Sequence, residues 1–188
     1  MAFPLHFTLP ESIIYIYISM GYDLLRRPYF QVARTFAGLA SDEAAQAVVD
    51  ALRDVDVDSA LAPEAKVPAL ASRFRERFNQ FNVSAASKLF WLKHKLPYVI
   101  YDSRAVNALR DLGCAFENAN YAQYCRCWRE QYAQRQDAIK KAASRLHEVR
   151  AFLPSWHGSD EELNSLAKQP WFLERVFDIY LWEMGGEG

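Results

Sequence analysis

Breaker residues are scarce in this chain, and that scarcity limits its fold more than any other feature. Only 7 glycines and 8 prolines occur in 188 residues, and long stretches, such as that between Gly113 and Pro154, are free of both. Glycine and proline punctuate turns, so a chain using so few is expected to be built from helices rather than many short strands. A hydrophobic content of 51%, with 14% aromatic residues, supports a well-buried core and excludes a disordered chain. The expected fold class is all-α: one compact helical domain over residues 1–188, possible as two lobes sharing a core, with a basic helical hairpin at about 68–113.

Taken in order, residues 1–9 read as an extended arm, and Pro10-Glu11-Ser12 as the start of a helix reaching Leu25, despite the strand-like Ile13 to Ile18 run. Pro28 opens a second helix that Gly38 ends, and Ser41-Asp42-Glu43 caps a third to about Arg53. Asp54, Asp56 and Asp58 alternate, but the glycine and closing glutamate of a calcium loop are missing, so the segment reads as an acidic surface loop. A helix then runs from Pro63 or Pro68 to Phe81, with Leu70, Phe74 and Phe78 on its core face and Arg73, Arg75 and Arg77 elsewhere. Residues 118–150 form one helix, or two broken near Gln134 to Asp137, with Tyr121, Tyr124, Trp128, Tyr132, Ile139, Leu146 and Val149 as its stripe. Pro154 to Ser159 is a loop carrying Trp156 and His157. Ser159 caps a helix to about Lys168, and Pro170 starts a last helix that is apolar nearly all round.

Chemistry concentrates in the stretch from Asn82 to Arg104. Asn82 or Ser84 can cap a helix beginning near Ala85, which places Lys88 in its first turn or just beyond. The positive end of the helix dipole disfavours an ammonium there and so favours a nucleophilic amine. Leu89, Leu92 and Leu96 form the expected buried stripe, with Lys88, Trp91 and Lys95 on a neighbouring face. Pro97 ends the helix, Tyr98 to Tyr101 make a short extended apolar link, and Asp102 caps the next helix, which runs to Gly113. A carboxylate at a helix N-terminus is well oriented to stabilise a cationic transition state or to take a proton from an amine. Taken singly, a lysine near a helix start is usually solvated and an aspartate there usually only caps. The two together, in this order, point to catalysis.

Charge is unevenly distributed behind a net of −1. Residues 1–70 hold 5 Lys and Arg against 9 Asp and Glu, net −4; residues 71–150 hold 15 against 7, net +8; residues 151–188 hold 2 against 7, net −5. The basic third contains Lys88 and Asp102, and Arg126, Arg129, Arg135, Lys140, Lys141 and Arg145 are further candidates for phosphate contacts. Such segregation suits a polyanion; alternatively, the basic helices pair with the acidic ends of the same chain. Cys114, Cys125 and Cys127 are an odd number of thiols, expected to be reduced. The four histidines lack metal spacing, so no metal is expected. The longest apolar run near the N-terminus is too short to span a bilayer, which predicts a soluble cytoplasmic protein without a membrane partner.

The lysine-bearing helix, the proline, the apolar link and the aspartate at the next helix start together resemble the helix-hairpin-helix DNA glycosylase superfamily, and within it the 8-oxoguanine glycosylase branch. More loosely, Ser84, Ala86, Ser87, Lys88, Pro97, Tyr101, Asp102, Ser103, Arg104 and Ala105 resemble a pattern shared by bacterial proteins of that fold. The resemblance implies Lys88 as the Schiff-base lysine and Asp102 as the catalytic aspartate. It also implies DNA contacts from Asn82, Ser84, Lys95 and Arg104, and a base pocket drawing on Trp91, Trp156, His157, Asp178 and Trp182. Where the family hairpin has glycines, this chain has Asn79 to Ser84, and asparagine is the next residue most tolerant of left-handed geometry. The three cysteines are too few for the four-cysteine iron–sulfur cluster of some relatives, so no cofactor is expected. The implied partner is double-stranded DNA with one flipped nucleotide, bound by a monomer. The implied substrates are 8-oxoguanine in repair, or a phage-modified base such as glucosylated hydroxymethylcytosine in antiviral defence. The alternative is a non-catalytic helical module that binds DNA or a protein, with Lys88 an ordinary phosphate contact.

Overall fold

The computed structural model of the chain describes residues 42–148 and 159–186. The expectations for residues 1–41, Val149, Trp156 and His157 lie outside the described residues. Among the described residues the protein is all helical: α1 (Asp42–Asp56), α2 (Pro63–Phe78), α3 (Val83–His94), α4 (Ser103–Asp111), α5 (Tyr121–Ala143), α6 (Asp160–Leu166) and α7 (Pro170–Met184).

Local signals set most of the helix ends. Pro63 and Pro170 occupy first-turn positions, where a missing N–H costs nothing. Asn79 adopts φ 55 after α2, its N–H bonding to Arg75 O at 2.9 Å while Gln80 N reaches back to Phe74 O. This left-handed closure is the role a glycine usually takes. Asn82 then caps α3 by accepting from Ala85 N at 2.9 Å, so α2 and α3 form a tightly joined helix pair. Ser159 and Glu162 make a reciprocal capping box on α6.

Several expectations shift. α1 runs a turn past Arg53, because Val48, Ala51, Leu52 and Val55 continue one apolar face into the core. On α3, Leu89 is buried but Leu92 is half-buried and Leu96 is 38% exposed. The helix stops at His94 and Lys95 takes φ 61, which swings Leu96 off the helical face; Val83, Ala86 and Phe90 fill the core instead. α5 passes through Gln134 to Asp137 without a break, since no residue there interrupts a helix and Arg135 bonds back to Gln131. α6 ends at Leu166 rather than near Lys168.

One core joins these helices. Trp128, Tyr124, Phe74, Phe90 and Phe177 are its largest fully buried side chains, with the Trp128 and Phe177 rings edge-on at 5.0 Å. α4 packs closely along α7, and the small residues Ala105 and Ala108 permit that approach. Gly185, at the end of α7, sits where a β-carbon would lie 1.8 Å from the Arg104 carbonyl oxygen. Only glycine fits there, and the contact seats the start of α4 against the end of α7.

Candidate active site

Lys88 and Asp102 come together. The Lys88 ammonium donates to Asp102 Oδ2 at 3.0 Å, with side chains 37% and 21% exposed. Asp102 is the N-cap of α4, its Oδ1 accepting from Arg104 N at 3.1 Å. One carboxylate oxygen is thus fixed by the helix start and the other faces the lysine. Lys88 is the sixth residue of α3, beyond the first turn in which the dipole acts strongly, and Asp102 is its ion-pair partner.

The link between the two helices is what aligns them. Residues 98–100 are buried and belong to no helix, so their backbone groups need partners from elsewhere. Two side-chain hydroxyls supply them at Val99 and Ile100, and a third serves the half-buried Tyr101. Tyr121 Oη donates to Val99 O at 2.7 Å and accepts from Val99 N at 3.0 Å, and Tyr124 Oη donates to Ile100 O at 2.8 Å. Ser87 Oγ accepts from Tyr101 N at 2.9 Å. Burial pushes both tyrosine hydroxyls well above their ordinary range, which keeps them protonated donors. Tyr101 Oη in turn accepts from Ala119 N.

A seam of cation–aromatic contacts joins α3 and α4 to α7. Lys95 Nζ lies over Trp171 at 5.0 Å, Arg175 over Trp91 at 5.3 Å, and Arg104 over Trp182 at 3.9 Å. Residues 171, 175, 178 and 182 recur at helical spacing, so they form one face of α7 turned toward α3 and α4. Trp91, Lys95 and Arg104 are therefore joined through this face of α7, with Arg104 two residues from Asp102, and Trp182 remains 39% exposed. Asn82 and Ser84 stand at the start of α3, where the Asn82 side chain caps the helix and the Ser84 carbonyl accepts from Ser87.

Asp178 belongs to the same face of α7 but points inward. It is buried, accepts from Trp128 Nε1 at 2.9 Å, and has Arg175 Nη1 at 3.5 Å. Burial pushes its carboxyl up to about 7, against the opposing pull of Arg175 and the Trp128 hydrogen bond.

Some of the basic third is neutralised from within. Asp56, read from sequence as part of a surface loop, is the last residue of α1 and is mostly covered. It receives Lys93 Nζ at 2.7 Å and His94 Nε2 at 2.8 Å, while Lys66 bonds its carbonyl. Burial raises the Asp56 carboxyl, but the bonds from Lys93 and His94 outweigh it and hold the group below its ordinary value. Arg129 pairs with Glu64 at 2.9 Å. The three cysteines are free, and burial pushes Cys114 up to about 11 and Cys125 to about 12, so neither is a thiolate nucleophile at neutral pH. An open groove of about 600 Å³ lies between the start of α2 and Asn118 to Ala122, apart from Lys88.

Ser87, Tyr121 and Tyr124 hold the link, a role the sequence did not assign to them, although Ser87 stands in the resembling pattern and the tyrosines in the core stripe. Ser87 carries a legible signal, a polar residue in helical register with Val83 and Phe90 on an apolar face. No protein-family model matches the chain, and neither does any curated protein or solved structure. No described helix is long and apolar enough to cross a membrane.

Proposed function

We propose that this protein is a DNA glycosylase that excises a damaged or hypermodified base, with an accompanying lyase activity, acting as a cytoplasmic monomer on double-stranded DNA. The carrying observation is the Lys88 to Asp102 contact of 3.0 Å, a partly exposed amine against a carboxylate oriented by a helix start. A nucleophile within hydrogen-bond reach of a fixed base is the arrangement that covalent catalysis needs. The resemblance to the 8-oxoguanine glycosylase branch supports the same roles for the same two residues.

The glycosidic bond cannot be reached inside a stacked duplex, so the target nucleotide is flipped out. Asp102 takes a proton from Lys88, and the amine lone pair forms a bond to the sugar C1′ as the bond from C1′ to the base breaks. The base leaves with that electron pair and takes up a proton. Opening of the sugar ring gives an imine; loss of a C2′ proton and of the 3′-phosphate then cuts the strand, and water frees the lysine. Arg104 orients Asp102 through its backbone N–H, and the seam residues Trp91, Lys95 and Trp182 face the DNA or the flipped base. The substrate is 8-oxoguanine, in repair, or a base such as glucosylated hydroxymethylcytosine, in defence against phage.

The test is base release, scored as alkali-labile breaks, on DNA containing 8-oxoguanine and in parallel on phage DNA with glucosylated cytosines. Breaks in one of them, with a borohydride-trapped complex that disappears in Lys88→Gln, are expected. Lys88→Gln should still bind DNA, and binding should weaken steeply with salt. No breaks in either substrate, together with loss of DNA binding in Lys88→Gln, would replace this reading with a non-catalytic DNA-binding module. Full excision by Lys88→Gln would overturn the Schiff-base role and leave Asp102 to activate water.

A further inference from the structure

The residue before the lysine and the residue before the aspartate are bonded to each other. Ser87 is fully buried, donates to Ser84 O at 2.9 Å and accepts the Tyr101 N–H at 2.9 Å. A serine hydroxyl has one proton to give and lone pairs to receive, so these two bonds fix its orientation. Its first bond lies within α3 and its second crosses to the link, which makes it the direct polar tie between the lysine helix and the strand of chain entering Asp102. The tyrosine hydroxyls hold Val99 and Ile100 but come from α5, and so set the link against the core rather than against α3.

We propose that Ser87 is a positioning residue of the reaction, its hydroxyl setting the register between Lys88 and Asp102 by holding Tyr101. This inference rests on the glycosylase reading for its kinetic consequence, though not for its geometry. With Ser87→Ala the Tyr101 N–H, in a part-buried setting, loses its partner, so the link moves to find another. The Asp102 carboxylate moves with it, away from the amine that it must deprotonate. Misplacement of a reacting group by about 1 Å costs on the order of a hundredfold in rate.

The experiment compares native protein, Ser87→Ala and Ser87→Thr, which keeps the hydroxyl, well below their unfolding temperatures. In Ser87→Ala the single-turnover rate of base release and of borohydride trapping should fall about ten- to a hundredfold, at an unchanged half-saturating DNA concentration. Ser87→Thr should recover most of the rate. Should Ser87→Ala not fold, Ser87→Cys keeps the volume with a weak acceptor and serves the same comparison. Unchanged chemistry in the folded variant, or a loss matching only its unfolded fraction, overturns the proposal.

A second readout needs no activity. The Arg104 amide bonds to Asp102 Oδ1 and reports where the carboxylate sits. Amide exchange in Ser87→Ala should quicken at both Tyr101 and Arg104. Faster exchange at Tyr101 alone would show that Asp102 holds its place without Ser87, and would overturn the proposal. If the native protein releases no base, the glycosylase reading fails while this arm still decides the role of Ser87.

Discussion

Asp178→Asn should change how the stability of this protein depends on pH. The Asp178 carboxyl is buried against Trp128 and stands at about 7 rather than 3.8. The sign follows from proton binding. Between about pH 4 and 7 the folded state holds a proton on Asp178 that the unfolded chain has released, so stability falls as pH rises through that window. A displacement of about three pH units at 1.36 kcal/mol each makes the full loss about 4 kcal/mol, complete above about pH 7 and absent below about pH 4. Arg175 opposes this, but at 3.5 Å it lies beyond the distance of a strong charge-assisted bond, so burial wins. Asparagine keeps an oxygen for the Trp128 N–H and has no proton to lose. Urea unfolding followed by tryptophan fluorescence at pH 4.5, 5.5, 6.5 and 7.5 gives the test. The native protein should lose about 3 kcal/mol relative to Asp178→Asn across the series. Parallel curves, or a native protein that gains on the variant as pH rises, would refute the reasoning and show Asp178 to be an anion held by Arg175.

Other perturbations reach different parts of the design. Tyr121→Phe leaves both the N–H and the carbonyl of Val99 without partners in the core, and should cost on the order of 2 kcal/mol or more in chemical denaturation. Gly185→Ala places a methyl against the Arg104 carbonyl; a loss of about 1–3 kcal/mol should appear as a lower Tm. Asp56→Asn removes a carboxylate whose folded value lies below its ordinary one. The native protein should lose part of its advantage over that variant as pH falls below about 4, visible in acid unfolding curves. Asp102→Asn should slow base release by about a hundredfold or more, measured under single turnover, with DNA affinity little changed.

The all-helical class, the caps at Asn82, Asp102 and Ser159, the proline starts of α2 and α7, and the asparagine turn after α2 are all legible in the order of residues. Each depends on residues within a few positions of one another, so the chemistry that makes them is written contiguously. The order of lysine, proline and aspartate also places Lys88 within one helix and Asp102 at the start of the next, joined by a link too short to separate them far. Whether the lysine meets the carboxylate is not legible there, since that depends on a hydroxyl of Ser87 and on two tyrosines 22 and 24 residues from the groups they bind. The pairing of Asp56 with Lys93 and His94, 38 residues from the latter, and of Asp178 with Trp128, 50 residues away, likewise leaves no local trace. Apolar periodicity tells which side of a helix is buried; the partner that a buried polar group finds is decided only when distant segments pack. The sequence alone therefore determined the helices and the candidate pair, while tertiary packing decided which groups are desolvated and which hydroxyls hold the aspartate at the lysine.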